Sequence, residues 1–123
     1  MKAAYTRLFN DEAGESHFED CESDLALTDF APPTAPLGLS ETFPASEAAF
    51  LVGPSAWTGG WHVSPSRNLF VVISGEWEIE VSDGATRLFS PGSVLLAEDL
   101  TGKGHRSRVV SGEDSLALLV RLA

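Results

Sequence analysis

Asn68-Leu69-Phe70-Val71-Val72-Ile73-Ser74-Gly75-Glu76-Trp77-Glu78-Ile79-Glu80-Val81-Ser82-Asp83-Gly84 is the stretch that decides the fold. Phe70 to Ile73 is an unbroken apolar run of the kind found in buried strands, and Ser74-Gly75 is a turn. Trp77, Ile79 and Val81 then alternate with acidic residues, so the three apolar side chains share one face of a strand. Asp83-Gly84 is a hairpin signal. Downstream, Arg87-Leu88-Phe89 runs into Pro91-Gly92, and Ser93 to Ala97 is again apolar and strand-like. His105 to Val110 and Ser115 to Leu122 complete the series, divided by the turn Ser111-Gly112-Glu113-Asp114. Upstream, Ala48-Ala49-Phe50-Leu51-Val52 ends at Gly53-Pro54, and its brevity and terminators favour a strand. Before residue 50 the pattern is weak. A short extended run at Leu25-Ala26-Leu27 and the proline-rich Ala31 to Pro36 predict edge strands and ordered loop wrapping a core. Short strands punctuated by turns, without an amphipathic helix, predict an all-β sandwich or barrel.

The 123 residues fit one domain, and 43% hydrophobic against 21% charged residues is the balance of a globular chain with a core. Eight Lys and Arg face 18 Asp and Glu, and the resulting net charge of -10 opposes binding to nucleic acid or to an anionic membrane surface. Ten of the acidic residues fall in the first 50 positions and read as a solvated face. Cys21 is the only cysteine, so no intrachain disulfide forms, and its acidic surroundings disfavour the thiolate. No apolar run approaches the roughly 18 residues that span a bilayer. The expectation is a soluble cytoplasmic protein.

Residues 53 to 109 resemble the two motifs of the cupin superfamily. In the first, a glycine is followed by His-x-His, then by a glutamate and a closing glycine. Here His62 takes the first histidine position, Ser64 the second, Asn68 the glutamate position and Gly75 the closing glycine, while Ala56 stands where the opening glycine belongs. In the second motif Gly92 opens, Glu98 replaces the proline, Gly102 and His105 keep the Gly-x-x-His spacing with two extra residues before them, and Val109 replaces the final asparagine. The resemblance implies a cupin-type jelly-roll β-barrel, a double-stranded β-helix, over residues 1–123 as a single domain with an N-terminal wrapping segment.

That resemblance also implies an inward-facing site. His62, Ser64 and Asn68 share parity on one extended segment, and His105 and Ser107 on another. Family members hold a divalent transition metal with three histidines and a glutamate, whereas this chain keeps two of the four and offers a hydroxyl and a carboxamide in place of the others. Glu98 or Asp99, in the loop leading to His105, could restore a carboxylate. The leading expectation is a barrel that binds a small organic molecule without a tightly bound metal, with His62, His105 and Glu98 as candidate catalytic groups for isomerisation, dehydration or cyclisation. Ser64, Asn68, Phe70, Trp77 and Ser107 are the candidate ligand-binding residues. The alternatives are a metal-dependent oxygenase or isomerase using His62, His105 and Glu98 as ligands, and a non-catalytic sensor or scaffold. His17 reads as structural or exposed, and Arg106 and Arg108 as facing solvent or a partner chain. Exposed sheet faces and edges predict a homodimer.

Overall fold

The computed structural model describes residues 1–123, which form eleven strands and no helix. In chain order they are β1 (Lys2–Asn10), β2 (Ser16–Asp24), β3 (Ala26–Thr28), β4 (Leu37–Leu39), β5 (Ala45–Gly53), β6 (Asn68–Ser74), β7 (Trp77–Val81), β8 (Thr86–Phe89), β9 (Val94–Ala97), β10 (His105–Val109) and β11 (Ser115–Leu122). No helix is long and apolar enough to cross a membrane. Six strands form one sheet in the order β2-β1-β9-β6-β11-β5, three form a second in the order β10-β7-β8, and β3 and β4 pair as a separate hairpin. The architecture is an all-β jelly-roll barrel.

Strand parity explains how the two large sheets meet. Trp77, Ile79 and Val81 are all buried, as their alternation with Glu78 and Glu80 requires. They pack with Phe89 and Val109 of the small sheet against Leu8, Val72 and Leu95 of the large one. Phe18, Leu51 and Phe70 close the sides of this core. The weakly patterned N-terminus is more regular than its sequence predicts. β1 and β2 form a nine-residue antiparallel ladder from Lys2↔Asp24 to Asn10↔Ser16. β1 also joins the sheet by a parallel pairing with β9. Only Leu8 of β1 and Ser16 of β2 are fully buried, so no long apolar run announces either strand.

The outer face of the large sheet is apolar as well. Phe50, Leu118, Val71 and Val94 lie in cross-strand register on β5, β11, β6 and β9, and a second row runs from Ala48 through Val120 and Leu69 to Leu96. β5 is the edge strand of that sheet, and Phe50 is 74% exposed on it.

An irregular segment extends the small sheet through isolated bridges. Residues 57–62 run antiparallel to β10, with Gly59 donating to the Ser107 carbonyl and His62 and His105 exchanging both backbone hydrogen bonds. This pairing positions the candidate site.

Candidate functional site

Two residues that exchange both backbone hydrogen bonds across an antiparallel pair present their side chains on the same face. His62 and His105 are such a pair, with N···O distances of 3.0 and 2.9 Å, and their ring centroids lie 4.6 Å apart. The close approach depends on Gly104, which has φ +73°. A Cβ at that position would strike the backbone carbonyl of His62.

His105 is 8% exposed and its Nδ1 lies 2.6 Å from Oδ2 of Asp99, which has no solvent exposure at all. The other oxygen of Asp99 accepts a 2.7 Å hydrogen bond from the Ser64 hydroxyl, and the Asp99 carbonyl accepts from the Ser64 N–H. A carboxylate only accepts, so the His105 nitrogen facing it donates. In the neutral ring the proton then sits on Nδ1 and Nε2 keeps its lone pair. His62 is oriented in the same sense, because its Nδ1 lies 2.8 Å from the Gly60 carbonyl, which also only accepts. Both imidazoles are thus held with Nδ1 occupied by a fixed acceptor.

The histidines border a cavity of about 340 Å³ between the two sheets, at the low end of the size of small-molecule sites. Leu51, Phe70, Leu95, Ala97 and Leu119 from the large sheet and Trp77 and Ile79 from the small one supply its apolar wall. Ser64, Asn68 and Ser107 add uncharged polar groups, and no Lys or Arg lines it. Trp57, His62 and Pro65, all solvent-exposed, mark the mouth. The Trp77 ring stands edge-on to Trp57 and Phe70, and its indole Nε1 is buried without a hydrogen-bond partner. Gly53 allows this placement, since a Cβ there would overlap the indole edge. A larger surface groove of about 780 Å³ beside β1, β2 and β8 includes Cys21 and Arg87 but no histidine. Burial first, and then the hydrogen bond to Glu19, push the Cys21 thiol above its ordinary range.

His62, Ser64, Asn68, Phe70, Trp77, His105 and Ser107 therefore lie around one cavity, as their sequence positions suggest. Glu98 does not. Its two oxygens are held at 2.7 Å by Arg7 Nε and Arg67 Nε, outside the cavity wall. Burial pushes the Glu98 carboxyl up, but the hydrogen bonds from the two arginines outweigh it and hold the group below the usual carboxylate range. The reason is parity. Leu95 and Ala97 point inward, so Glu98 points outward with Leu96, and Asp99 turns inward again. Because Val94 to Ala97 are all apolar, that alternation leaves no mark in the sequence. Asp99 is the carboxylate of the site.

The donor set does not fit the metal centre that the cupin resemblance implies. Ser64 and Asn68 stand at two of the four ligand positions, and Glu98 is committed to the arginines. Asp99 is bonded to the Nδ1 side of His105 and to Ser64, so it orients a histidine and does not stand beside one as a second ligand. No group of three or more His, Cys, Asp or Glu side chains is arranged to hold a metal ion.

His17 lies apart from this cavity, between Asp11 and Asp83, with Nε2 and Nδ1 at 2.7 and 2.8 Å from their carboxylates. The hydrogen bond to Asp11, and then that to Asp83, raise its pKa above the ordinary histidine value. It ties the β1–β2 turn to the β7–β8 turn. Arg106 and Arg108 alternate outward and pair with Glu80 and Glu78.

No protein-family model matches the chain, and no curated protein matches it. Among solved structures, protein NMB1881 from Neisseria meningitidis is similar over 62% of this chain and 74% of its own, at 18% identity and a TM-score of 0.44. A Salmonella typhimurium LT2 protein described as an ethanolamine utilization protein Q is similar over 98% of this chain and 97% of its own, at 13% identity and a TM-score of 0.40. The barrel assignment rests on this chain's own strand order and core.

Proposed function

We propose that the protein binds a small, uncharged organic molecule with an apolar body in the barrel cavity, and that His105, oriented by Asp99, exchanges a proton with it. The observation that carries this reading is the buried Asp99–His105 pair, whose histidine lines a cavity bordered by a second imidazole. A histidine held by a carboxylate at Nδ1 is restricted to the tautomer whose Nε2 can accept a proton, and the charge that then appears on the ring is balanced by Asp99. His62, on the same face, is placed to return a proton at a second position. The absence of Lys and Arg from the lining favours an uncharged ligand. A carbonyl compound suits such a site, because the C–H next to a carbonyl is acidic enough for a neutral imidazole such as His105 to remove its proton.

The test is α-deuteration of cyclohexanone, 2-cyclohexenone and γ-butyrolactone in D2O, followed by NMR with wild-type protein and with His105→Gln. The reading predicts faster exchange of at least one probe by the wild type, by on the order of 100-fold over the variant. Equal rates for all three would remove His105 from proton transfer.

A further inference from the structure

The inner face of the large sheet continues past the cavity. Leu119 and Phe70, which line the cavity, are cross-strand neighbours on β11 and β6. The next inward row along the same strands is Glu47 on β5, Arg121 on β11 and Asn68 on β6, about 7 Å further on. This row borders a second chamber of about 230 Å³. Pro65, Asn68 and Leu119 line both spaces, so the two are contiguous. Polarity changes across the junction, because the cavity wall is mainly apolar whereas Glu47, Ser66, Asn68 and Arg121 line the second chamber. We infer that the uncharged carbonyl compound proposed above, on whose binding this step rests, is elongated and ends in a primary carboxamide seated between Arg121, Glu47 and Asn68.

The unused hydrogen-bonding groups of this row define the class of ligand. Arg121 meets Glu47 through Nη1 alone, at 3.4 Å, which leaves Nε and Nη2 without a partner in the chain, and Oε1 of Glu47 is likewise unengaged. Asn68 is 8% exposed. Its Nδ2 donates to the Ser66 carbonyl at 3.0 Å, and no group of the chain donates to its oxygen. A donor at the centre of the row with an acceptor on either side is the complement of a primary carboxamide, whose carbonyl accepts from Arg121 and whose two N–H groups donate to Glu47 and Asn68. A carboxylate would pair with the guanidinium but would meet Glu47 as a like charge, on a chain whose net charge is -10. An ammonium group would oppose Arg121 in the same way. An apolar tail would leave the Asn68 oxygen buried and unpaired. The row therefore selects a neutral group that both donates and accepts.

The experiment is isothermal titration calorimetry of the full chain. Its probes are cyclohexanone, 4-oxocyclohexanecarboxamide, the homologues with one to three methylenes before the amide, and the matching carboxylates and N,N-dimethylamides. At least one primary amide should bind on the order of 10-fold or more tighter than cyclohexanone, as hydrogen bonds to charged groups provide. The dimethylamide, which keeps the carbonyl and loses both donors, should lack that gain, and so should the carboxylate. Arg121→Met should bring the ratio of amide to cyclohexanone affinity close to one, whereas Arg108→Met, at the ion pair with Glu78 on the outer face of the small sheet, should preserve it. The Arg121 side chain is half-exposed, and circular dichroism checks that its variant folds. The carboxamide assignment is overturned, with the proton-transfer reading left standing, if cyclohexanone binds and no primary amide gains on it. It is overturned equally if a carboxylate or dimethylamide matches the amide, or if the gain survives Arg121→Met. Binding of none of the probes would overturn both.

Discussion

Replacing Asp99 probes both the stability of the barrel and the state of its candidate base. Its side chain is wholly buried and accepts two hydrogen bonds, 2.7 Å from Ser64 and 2.6 Å from His105. Asp99→Ala leaves two buried donors without acceptors, each costing about 1–3 kcal/mol, so the expected loss is about 4 kcal/mol. For a chain of this length that corresponds to a melting point lower by on the order of 15 °C. Asp99→Asn should cost about half as much, because the carboxamide oxygen can still accept from Ser64 while its NH2 group faces His105. Two donors cannot share one bond, so the His105 proton is expected to move from Nδ1 to Nε2. Urea and thermal unfolding give the energies, and long-range ¹H–¹⁵N correlation spectra give the tautomer. An Asp99→Ala melting point within about 3 °C of wild type, on the scale where 1 kcal/mol moves it by about 4 °C, would refute the energetic reasoning. An unchanged tautomer in Asp99→Asn would refute the claim that Asp99 sets the proton position.

Further outcomes follow from Glu98, Gly104 and His17. Glu98→Gln should leave deuteration of the carbonyl probes unchanged, since Glu98 faces Arg7 and Arg67. The same variant should flatten the acid limb of the stability curve: the folded pKa of Glu98 is depressed, so its contribution is present above the unfolded value and lost as pH falls through the folded one. Gly104→Ala should destabilise by about 2–4 kcal/mol in urea unfolding, because a left-handed backbone and a collision with the His62 carbonyl act together. His17 should titrate above its ordinary value by NMR, and Asp83→Asn should lower its pKa. The stability that His17 contributes is complete below its unfolded pKa and disappears as pH rises through the raised folded value.

The central hairpin was legible because alternation of Trp77, Ile79 and Val81 with acidic residues leaves a strand only one way to face. His62 and His105 are legible as partners because the cupin resemblance implies that both lie beside one barrel interior. The first two strands were not, because a ladder with one wholly buried residue in each strand satisfies its backbone without an apolar pattern. The sequence does not separate Asp99 from Glu98 as the inward carboxylate, since the uniformly apolar β9 conceals which residues point inward. The apolar outer face is the same effect at larger scale. Strands that are apolar on both faces read as buried, and here the outer face is exposed at Phe50, Val52 and Ile73.

The most direct test of the account is a crystal structure of the protein soaked with the same three carbonyl probes. The account predicts ligand density between the two sheets, with an atom within about 3.5–4 Å of His105 Nε2. A cavity filled by Leu51, Phe70 and Leu119, with the probes bound elsewhere or not at all, would contradict it.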